Sequence, residues 1–158
     1  MKHLLMSTML LGSLCLGMSS CDKDKDAVVA TDRENGNTSN PTASKMKITV
    51  GAAVFTATLN DNQSANALKA MLPLSIKMED LNANEKFYNF PGTLPTSASV
   101  GGNIQVGDLM LYGNNCLVLF YKGFNTSYSY TRLGKIDNVT GLVAALGSGD
   151  VNVRFESQ

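Results

Sequence analysis

The sequence of 158 residues contains no tryptophan and a single histidine, His3. His3 lies in an N-terminal stretch that we predict to be removed, so the processed protein is expected to contain no histidine. Without an imidazole there is no base for a histidine-dependent nucleophilic triad, no acid/base group near neutral pH and no ligand for the commoner catalytic zinc sites. Composition therefore excludes these classes of enzyme.

Long apolar runs are confined to the N-terminus. Lys2 precedes an apolar stretch from Leu4 to Met18, and two serines then lead to Cys21. The stretch is shorter than the roughly 20 residues of a transmembrane helix, and small residues before a cysteine are typical of a lipoprotein signal peptide. We predict a signal peptide over residues 1–20, lipidation of Cys21 and export to the cell envelope. The anchored protein would sit in the outer membrane, facing the periplasm or the cell surface; the alternative is an uncleaved anchor.

Cysteine is too scarce for a disulfide in the processed chain. Cys15 lies in the leader and Cys21 would carry the lipid, which leaves Cys116 alone. Cys116 begins an apolar run, and no histidine is present to activate it. We therefore predict a buried structural thiol and not a nucleophile.

Neither sign of charge is in excess. From Asp22 onward the chain has twelve basic and thirteen acidic residues, and this balance argues against a nucleic-acid partner. The alternating carboxylates of Asp22–Asp26 are similar to the start of a calcium loop, but Ala27 and Arg33 stand where that loop needs glycine and glutamate. We expect no metal and no cofactor.

The polar residues 21–44 contain no aromatic side chain and predict a flexible tether from the lipidated Cys21. All eleven aromatic residues lie between Phe55 and Phe155. The folded domain is therefore predicted over residues 45–158, a length that suits one compact unit.

Alternation of apolar and polar residues predicts a mainly β domain. Strands are expected at 46–50, 55–59, 74–78, 106–112, 116–121, 128–136 and 151–155, with hairpins at Gly51 and at Gly113-Asn114-Asn115. The composition of residues 82–102 predicts a long ordered loop. Seven or eight short strands favour a closed β-barrel or a sandwich.

Two short helices are predicted at the ends of the barrel. The first has Ala65, Leu68 and Met71 on one face, follows a cap at Asn60 or Asp61, and is stopped by Pro73. Asn138 is expected to cap the second, which buries Leu142, Val143 and Leu146 and ends at Gly147.

Several stretches resemble the bacterial cyclophilin-like fold proteins, which are relatives of the cyclophilins. The matching stretches are 72–74, 78–82, 107–113, 116–121 and 128–136, and the resemblance extends over roughly residues 45–156. It implies a closed cyclophilin-like β-barrel of about eight strands with two capping helices.

Cyclophilins are peptidyl-prolyl isomerases, and the resemblance implies which of their site residues have counterparts in this sequence. Their Phe-His-Arg motif is matched by Phe87-Tyr88-Asn89, which puts Asn89 at the catalytic arginine. The place of their pocket histidine falls near Tyr130, and their pocket tryptophan has no counterpart. A neutral amide donates a hydrogen bond about half as strong as a charge-assisted one, so we assign no catalytic residue and expect weak or no isomerase activity.

Tyr128, Tyr130 and Arg132 occupy alternate positions, so on a strand they share one face. We predict a ligand groove formed by Phe87, Asn89, Phe90, Tyr128, Tyr130 and Arg132, in which tyrosines stack on an apolar or proline-containing ligand and Arg132 holds a carbonyl or carboxylate. The alternative is ordinary cross-strand packing of tyrosines. The carboxylates of Glu79, Asp80 and Glu85 are interpreted as solvated turn residues.

The sequence thus predicts a lipid-anchored cell-envelope domain that binds a peptide, an exposed protein loop or a small ligand without catalysis. The alternative is a divergent prolyl isomerase that assists folding outside the cytoplasm. A structural component without a ligand of its own is the third interpretation.

Overall fold

A computed structural model describes residues 44–158, which contain nine strands and two helices. The predicted signal peptide, the lipidated Cys21 and the tether lie outside the described residues. The elements, in chain order, are β1 (Lys45–Val50), β2 (Ala53–Leu59), α1 (Gln63–Ala70), β3 (Leu74–Leu81), β4 (Glu85–Asn89), β5 (Ser99–Ile104), β6 (Asp108–Tyr112), β7 (Cys116–Phe120), β8 (Phe124–Ile136), α2 (Leu142–Leu146) and β9 (Val151–Ser157). The mainly β class predicted from the alternation is confirmed.

Eight of these strands form a closed antiparallel ring in the order β2-β1-β9-β3-β4-β7-β6-β8, with β8 pairing back to β2. The ninth strand, β5, pairs with the first half of β8 outside the ring. Neither helix in residues 44–158 is long and apolar enough to cross a bilayer.

The main hydrophobic core contains apolar side chains from one face of the ring strands and from both helices. Met46 and Ile48 of β1, for example, are completely buried, while Lys47 between them remains partly accessible. Leu68 of α1 and Leu142 of α2 belong to the same core. The helices are therefore held to the ring by apolar burial, as the resemblance implied.

The ring closes where β2 meets β8 at a glycine. Leu59 pairs with Gly134, and a Cβ built on Gly134 would overlap the Thr58 carbonyl oxygen and lie 3.1 Å from the Leu59 Cα. Only a residue without a side chain allows this approach of the two backbones.

The long loop predicted over residues 82–102 is wrong, because this segment contains β4 and the start of β5. Asn82 and Ala83 adopt positive φ angles of 53° and 50° and reverse the chain tightly between β3 and β4. Apart from the turn at residues 82–84, only residues 90–98, between β4 and β5, lack strand structure in this segment, and the alternation of the five residues after Asn84 is the local signal for β4.

The helix boundaries differ from the predictions in detail. Asn62 caps α1, since its Oδ1 accepts a hydrogen bond from the Ala65 amide at 2.8 Å. Gly141 and not Asn138 precedes α2, and Val143 is 49% exposed instead of buried. Gly147 ends α2 with a φ of 58°, as predicted.

Candidate functional site

A groove of about 530 Å³ lies on the outer face of the ring, along β4, β7 and β8. Aromatic and apolar side chains form most of its lining, and carboxamides and one carboxylate supply the polar groups. The residues that line it are Leu81, Asn82, Asn84, Glu85, Phe87, Asn89, Tyr112, Gly113, Asn115, Cys116, Val118, Phe124, Tyr128 and Tyr130.

Strand alternation places the groove residues on this face. In β4 the side chains of Glu85, Phe87 and Asn89 face the groove, while Lys86 and Tyr88 face the core. β4 pairs with β7 so that Phe87 is opposite Val118 and Asn89 is opposite Cys116. The floor of the groove is therefore set by the register of two paired strands.

A second hydrophobic cluster lies beneath the groove and supports its wall. The rings of Phe120 and Tyr130 are 5.6 Å apart between centroids, and Tyr112 lies 5.4 Å from Tyr130. Tyr128 extends the series, with its ring 6.2 Å from that of Tyr112. Aromatic pairs at these separations stabilise one another, so the wall is a preformed surface for apolar or planar ligand groups.

Glu85 carries the one ionisable carboxylate of the described lining, and it is buried, with 8% of its surface exposed. Burial raises the pKa of the Glu85 carboxyl above its ordinary value. Among residues 44–158 no lysine or arginine forms an ion pair with it. The groove thus contains a carboxylate whose charge no neighbouring cation balances.

Cys116, which the sequence predicts to be a buried structural thiol, is half-buried and lines the groove. Burial, and then the charge of Glu85, raise the pKa of the Cys116 thiol to about 11. Because the thiolate is the reactive form, Cys116 is a weak nucleophile at neutral pH.

Four of the six predicted groove residues line this cavity: Phe87, Asn89, Tyr128 and Tyr130. Phe90 does not, because its side chain is 3% exposed within the main core, where its ring packs edge-on against Tyr88 at 5.4 Å. The alternation that brings Phe87 to the groove turns Phe90 to the other side.

Arg132 also lies outside the lining. Its Nη2 donates a hydrogen bond to the Gly101 carbonyl oxygen at 2.9 Å, and its Nη1 is 3.7 Å from the Asp108 carboxylate. The guanidinium therefore ties β8 to β5 and is engaged by the protein's own acceptors. None of the described residues that line the groove is basic.

The sequence does not identify Glu85 and Asn84 as groove residues, because the composition of residues 82–102 predicts a loop where β4 lies. The signal was the alternation of Glu85, Phe87 and Asn89 with Lys86 and Tyr88, read directly after the turn residues Asn82 and Ala83. The sequence predicts Tyr112 and Cys116 to lie in strands. Their position in the groove depends on the pairing of β7 with both β4 and β6, which the local pattern does not show.

The carboxylates expected to be solvated turn residues behave differently. Glu79 is exposed, but Asp80 accepts hydrogen bonds from the Tyr121 hydroxyl at 2.7 Å and from the Lys86 ammonium. Lys86 is completely buried and also donates to the carbonyl oxygens of Gly147 and Gly149, at 3.1 and 2.5 Å. This network fixes the loop between α2 and β9 to the end of the ring.

Residues 44–158 contain no cluster of three or more histidine, cysteine, aspartate or glutamate side chains suited to a metal ion. A second cavity of about 290 Å³ lies outside β1, β3 and β9. Its lining includes Thr49, Ser75, Lys77 and Arg154 and no aromatic ring. The aromatic groove is therefore the better candidate for a binding site.

The model of the cyclophilin-like family matches residues 48–156, which is more than half of the chain and nearly all of the described fold. The chain belongs to the cyclophilin-like family. A solution structure of a hypothetical protein from Archaeoglobus fulgidus is similar to this cyclophilin-like domain, with a TM-score of 0.50 and 14% identity over 73% of this chain and 95% of that chain. At this identity the likeness concerns the fold alone. No curated protein matches the sequence.

Proposed function

We propose that this cyclophilin-like domain binds an extended peptide segment or protein loop in the aromatic groove without catalysing its isomerisation. The observation that carries the proposal is the groove itself, about 530 Å³ in volume and walled by Tyr112, Tyr128 and Tyr130. Ligand sites are typically concave, largely apolar and equipped with a few polar groups, and this groove has all three properties.

The length of the groove suits a peptide. Glu85 and Asn89 both line it and are four residues apart on β4, which corresponds to roughly 13 Å along the strand. An extended ligand of about four residues covers the same distance. The Asn89 carboxamide lies in the lining and can hydrogen-bond the polar backbone of such a segment. Asn115 can offer its Oδ1, since its Nδ2 donates to the Phe90 carbonyl oxygen at 3.1 Å.

The polar groups available disfavour catalysis. Isomerisation of a prolyl bond must overcome a barrier of about 18–20 kcal/mol set by amide resonance. A permanently charged guanidinium is suited to weaken that resonance, but Asn89 occupies the place matched to the cyclophilin arginine, and Arg132 is bound to the Gly101 carbonyl. We expect no acceleration in a proline-limited peptide assay; a rate comparable to that of a true cyclophilin would contradict the non-catalytic role.

Binding is tested with the full chain in detergent, immobilised and exposed to a library of capped hexapeptides, with retained peptides identified by mass spectrometry. Tyr128→Ala removes a groove ring that is 63% exposed, so folding should be unaffected while retention falls at least tenfold. Val54→Ala truncates a side chain that is 61% exposed on β2, outside the groove lining, and should leave retention unchanged. Equal loss in both variants, or no retained peptide, would contradict the proposal.

We further propose that a lipid on Cys21 holds the domain at the cell envelope, with residues 21–44 as the tether. The apolar stretch that ends before Ser19-Ser20-Cys21 supports this localisation. Cys21→Ser should move the protein from the membrane fraction to the soluble fraction, whereas Cys15→Ser should not. Recovery of both variants in the membrane fraction would contradict lipidation at Cys21.

A further inference from the structure

The groove contains a carboxylate that residues 44–158 leave without a donor. Glu85 lines the groove and is 8% exposed, and its carboxylate receives no hydrogen bond or ion pair from this part of the chain. A charge on so enclosed a residue is costly without a partner. The unpaired carboxylate therefore favours a ligand that supplies a donor to it.

The surroundings of Glu85 favour a cation as that donor. Phe87 follows on the same face of β4, and Phe120 is directly opposite Glu85 in the strand pairing. The Phe120 ring lies 5.6 Å from both Phe124 and Tyr130, so the carboxylate is bordered by a continuous aromatic cluster. Aromatic faces attract cations, most strongly where water is excluded.

Residues 44–158 provide no cation at this place. Lys86 is adjacent in sequence but points to the core, where Asp80 and two carbonyl oxygens hold it. Arg132 is bound at the junction of β5 and β8. The negative charge of Glu85 is therefore available to a group that enters from outside.

We infer that the groove, in the binding role proposed above, takes a lysine or arginine side chain of an extended protein segment, with its cationic group against Glu85. An ammonium offers three donors and a guanidinium five, so either can donate to both oxygens of the carboxylate. The methylene stem lies along Phe87 and Tyr130 while the charged head is held by the carboxylate. An anionic side chain is disfavoured by repulsion from Glu85.

The test uses three libraries of capped hexapeptides in which one central residue is fixed as lysine, arginine or norleucine and the other positions are drawn from uncharged residues. The full chain in detergent should retain the lysine and arginine libraries at least tenfold better than the norleucine library. Equal retention of all three overturns the inference and leaves the proposed peptide binding intact. Retention of none overturns both.

Glu85→Gln keeps the shape of the side chain and removes its charge, so it should abolish the preference for the basic libraries. Glu79→Gln, an exposed position on β3 outside the lining, should retain the preference. A preference that survives in Glu85→Gln contradicts the assignment of the cation to this carboxylate.

Wild-type protein gives a second readout that does not depend on the folding of a variant. Addition of n-butylammonium chloride should displace the retained lysine peptides, because it presents the same ammonium on the same apolar stem. Sodium chloride at equal concentration controls for general screening. Equal displacement by the two salts contradicts a specific site for the cation.

Discussion

Glu85 and Lys86 are consecutive residues of opposite charge in β4, yet their side chains lie on opposite faces of the sheet. Lys86 reaches the core side, where Asp80 and the carbonyl oxygens of Gly147 and Gly149 accept its hydrogen bonds. Glu85 reaches the groove, where no lysine or arginine of residues 44–158 forms an ion pair with it. The alternation of a strand thus separates a satisfied structural charge from an unsatisfied charge available to a ligand.

Because the two charges lie in different surroundings, we expect substitutions of Lys86 and of Glu85 to have different effects on the free energy of unfolding. Lys86→Met should lower the free energy of unfolding by roughly 3 kcal/mol or more, because it leaves Asp80 and two carbonyl oxygens without their donor. Glu85→Gln should leave that free energy unchanged or raise it, because it removes a charge that burial disfavours. Urea unfolding at pH 7 measures both; a loss in Glu85→Gln as large as in Lys86→Met would contradict the assignment of their roles.

The Asp80 carboxylate predicts a dependence of stability on pH. Hydrogen bonds from Lys86 and then from Tyr121 hold the pKa of Asp80 below its ordinary value. A carboxyl whose pKa is lower in the folded state stabilises the fold above its unfolded pKa, near 4, and this contribution is lost as the pH falls through the folded value. Wild type should therefore exceed Asp80→Asn in unfolding free energy at pH 7, and the difference should shrink towards pH 3.

Asp61→Asn serves as the control for that series, since Asp61 is exposed in the turn before α1. Its unfolding free energy should follow the wild type at every pH. A difference between wild type and Asp80→Asn that stays constant from pH 7 to pH 3 would contradict the role of the ionised carboxylate.

The closure of the ring predicts that Gly134 tolerates no side chain. Gly134→Ala places a Cβ against the Thr58 carbonyl oxygen and the Leu59 backbone, so β2 and β8 must separate. Overpacking of this kind typically costs about 1–3 kcal/mol. Thermal unfolding should show a clear loss for Gly134→Ala and little change for Gly92→Ala, whose Cβ meets no atom within 4 Å. Equal melting temperatures would contradict the tight closure.

Cys116 predicts slow alkylation. Because burial raises the pKa of its thiol to about 11, the thiolate fraction is small at pH 7.5 and grows through pH 10. Iodoacetamide labelling, followed on the Cys116 peptide by mass spectrometry, should accelerate across this whole range and slow when a groove-binding peptide is added. A rate that levels off below pH 9 would contradict the shielded environment of the thiol.

The strands with strong local signals were predicted correctly from the sequence. Gly113-Asn114-Asn115 between two apolar runs indicated the β6–β7 hairpin, and the alternation at Val151, Val153 and Phe155 indicated β9. These signals are local, since turn chemistry and period-two burial depend on few neighbours. The mainly β class followed from them.

The groove depended on pairings that local patterns do not contain. Phe87 and Asn89, which the resemblance points to, line the groove, but their strand is flanked by asparagine, glycine and proline residues that favour a loop. The position of Arg132 was not predictable, because its guanidinium is taken by the Gly101 carbonyl of a strand outside the ring. The contact of Arg132 joins residues far apart in the chain, which the sequence pattern does not specify, whereas the alternation of β4 is a local signal outweighed by the composition around it.

The most direct measurement of the central claim is chemical-shift mapping of the isotope-labelled protein titrated with a retained peptide. The account predicts that the largest amide shifts belong to groove residues on three strands, among them Asn89, Cys116 and Tyr128. Shifts centred on Thr49, Lys77 and Arg154 around the second cavity, with the groove unchanged, would contradict it.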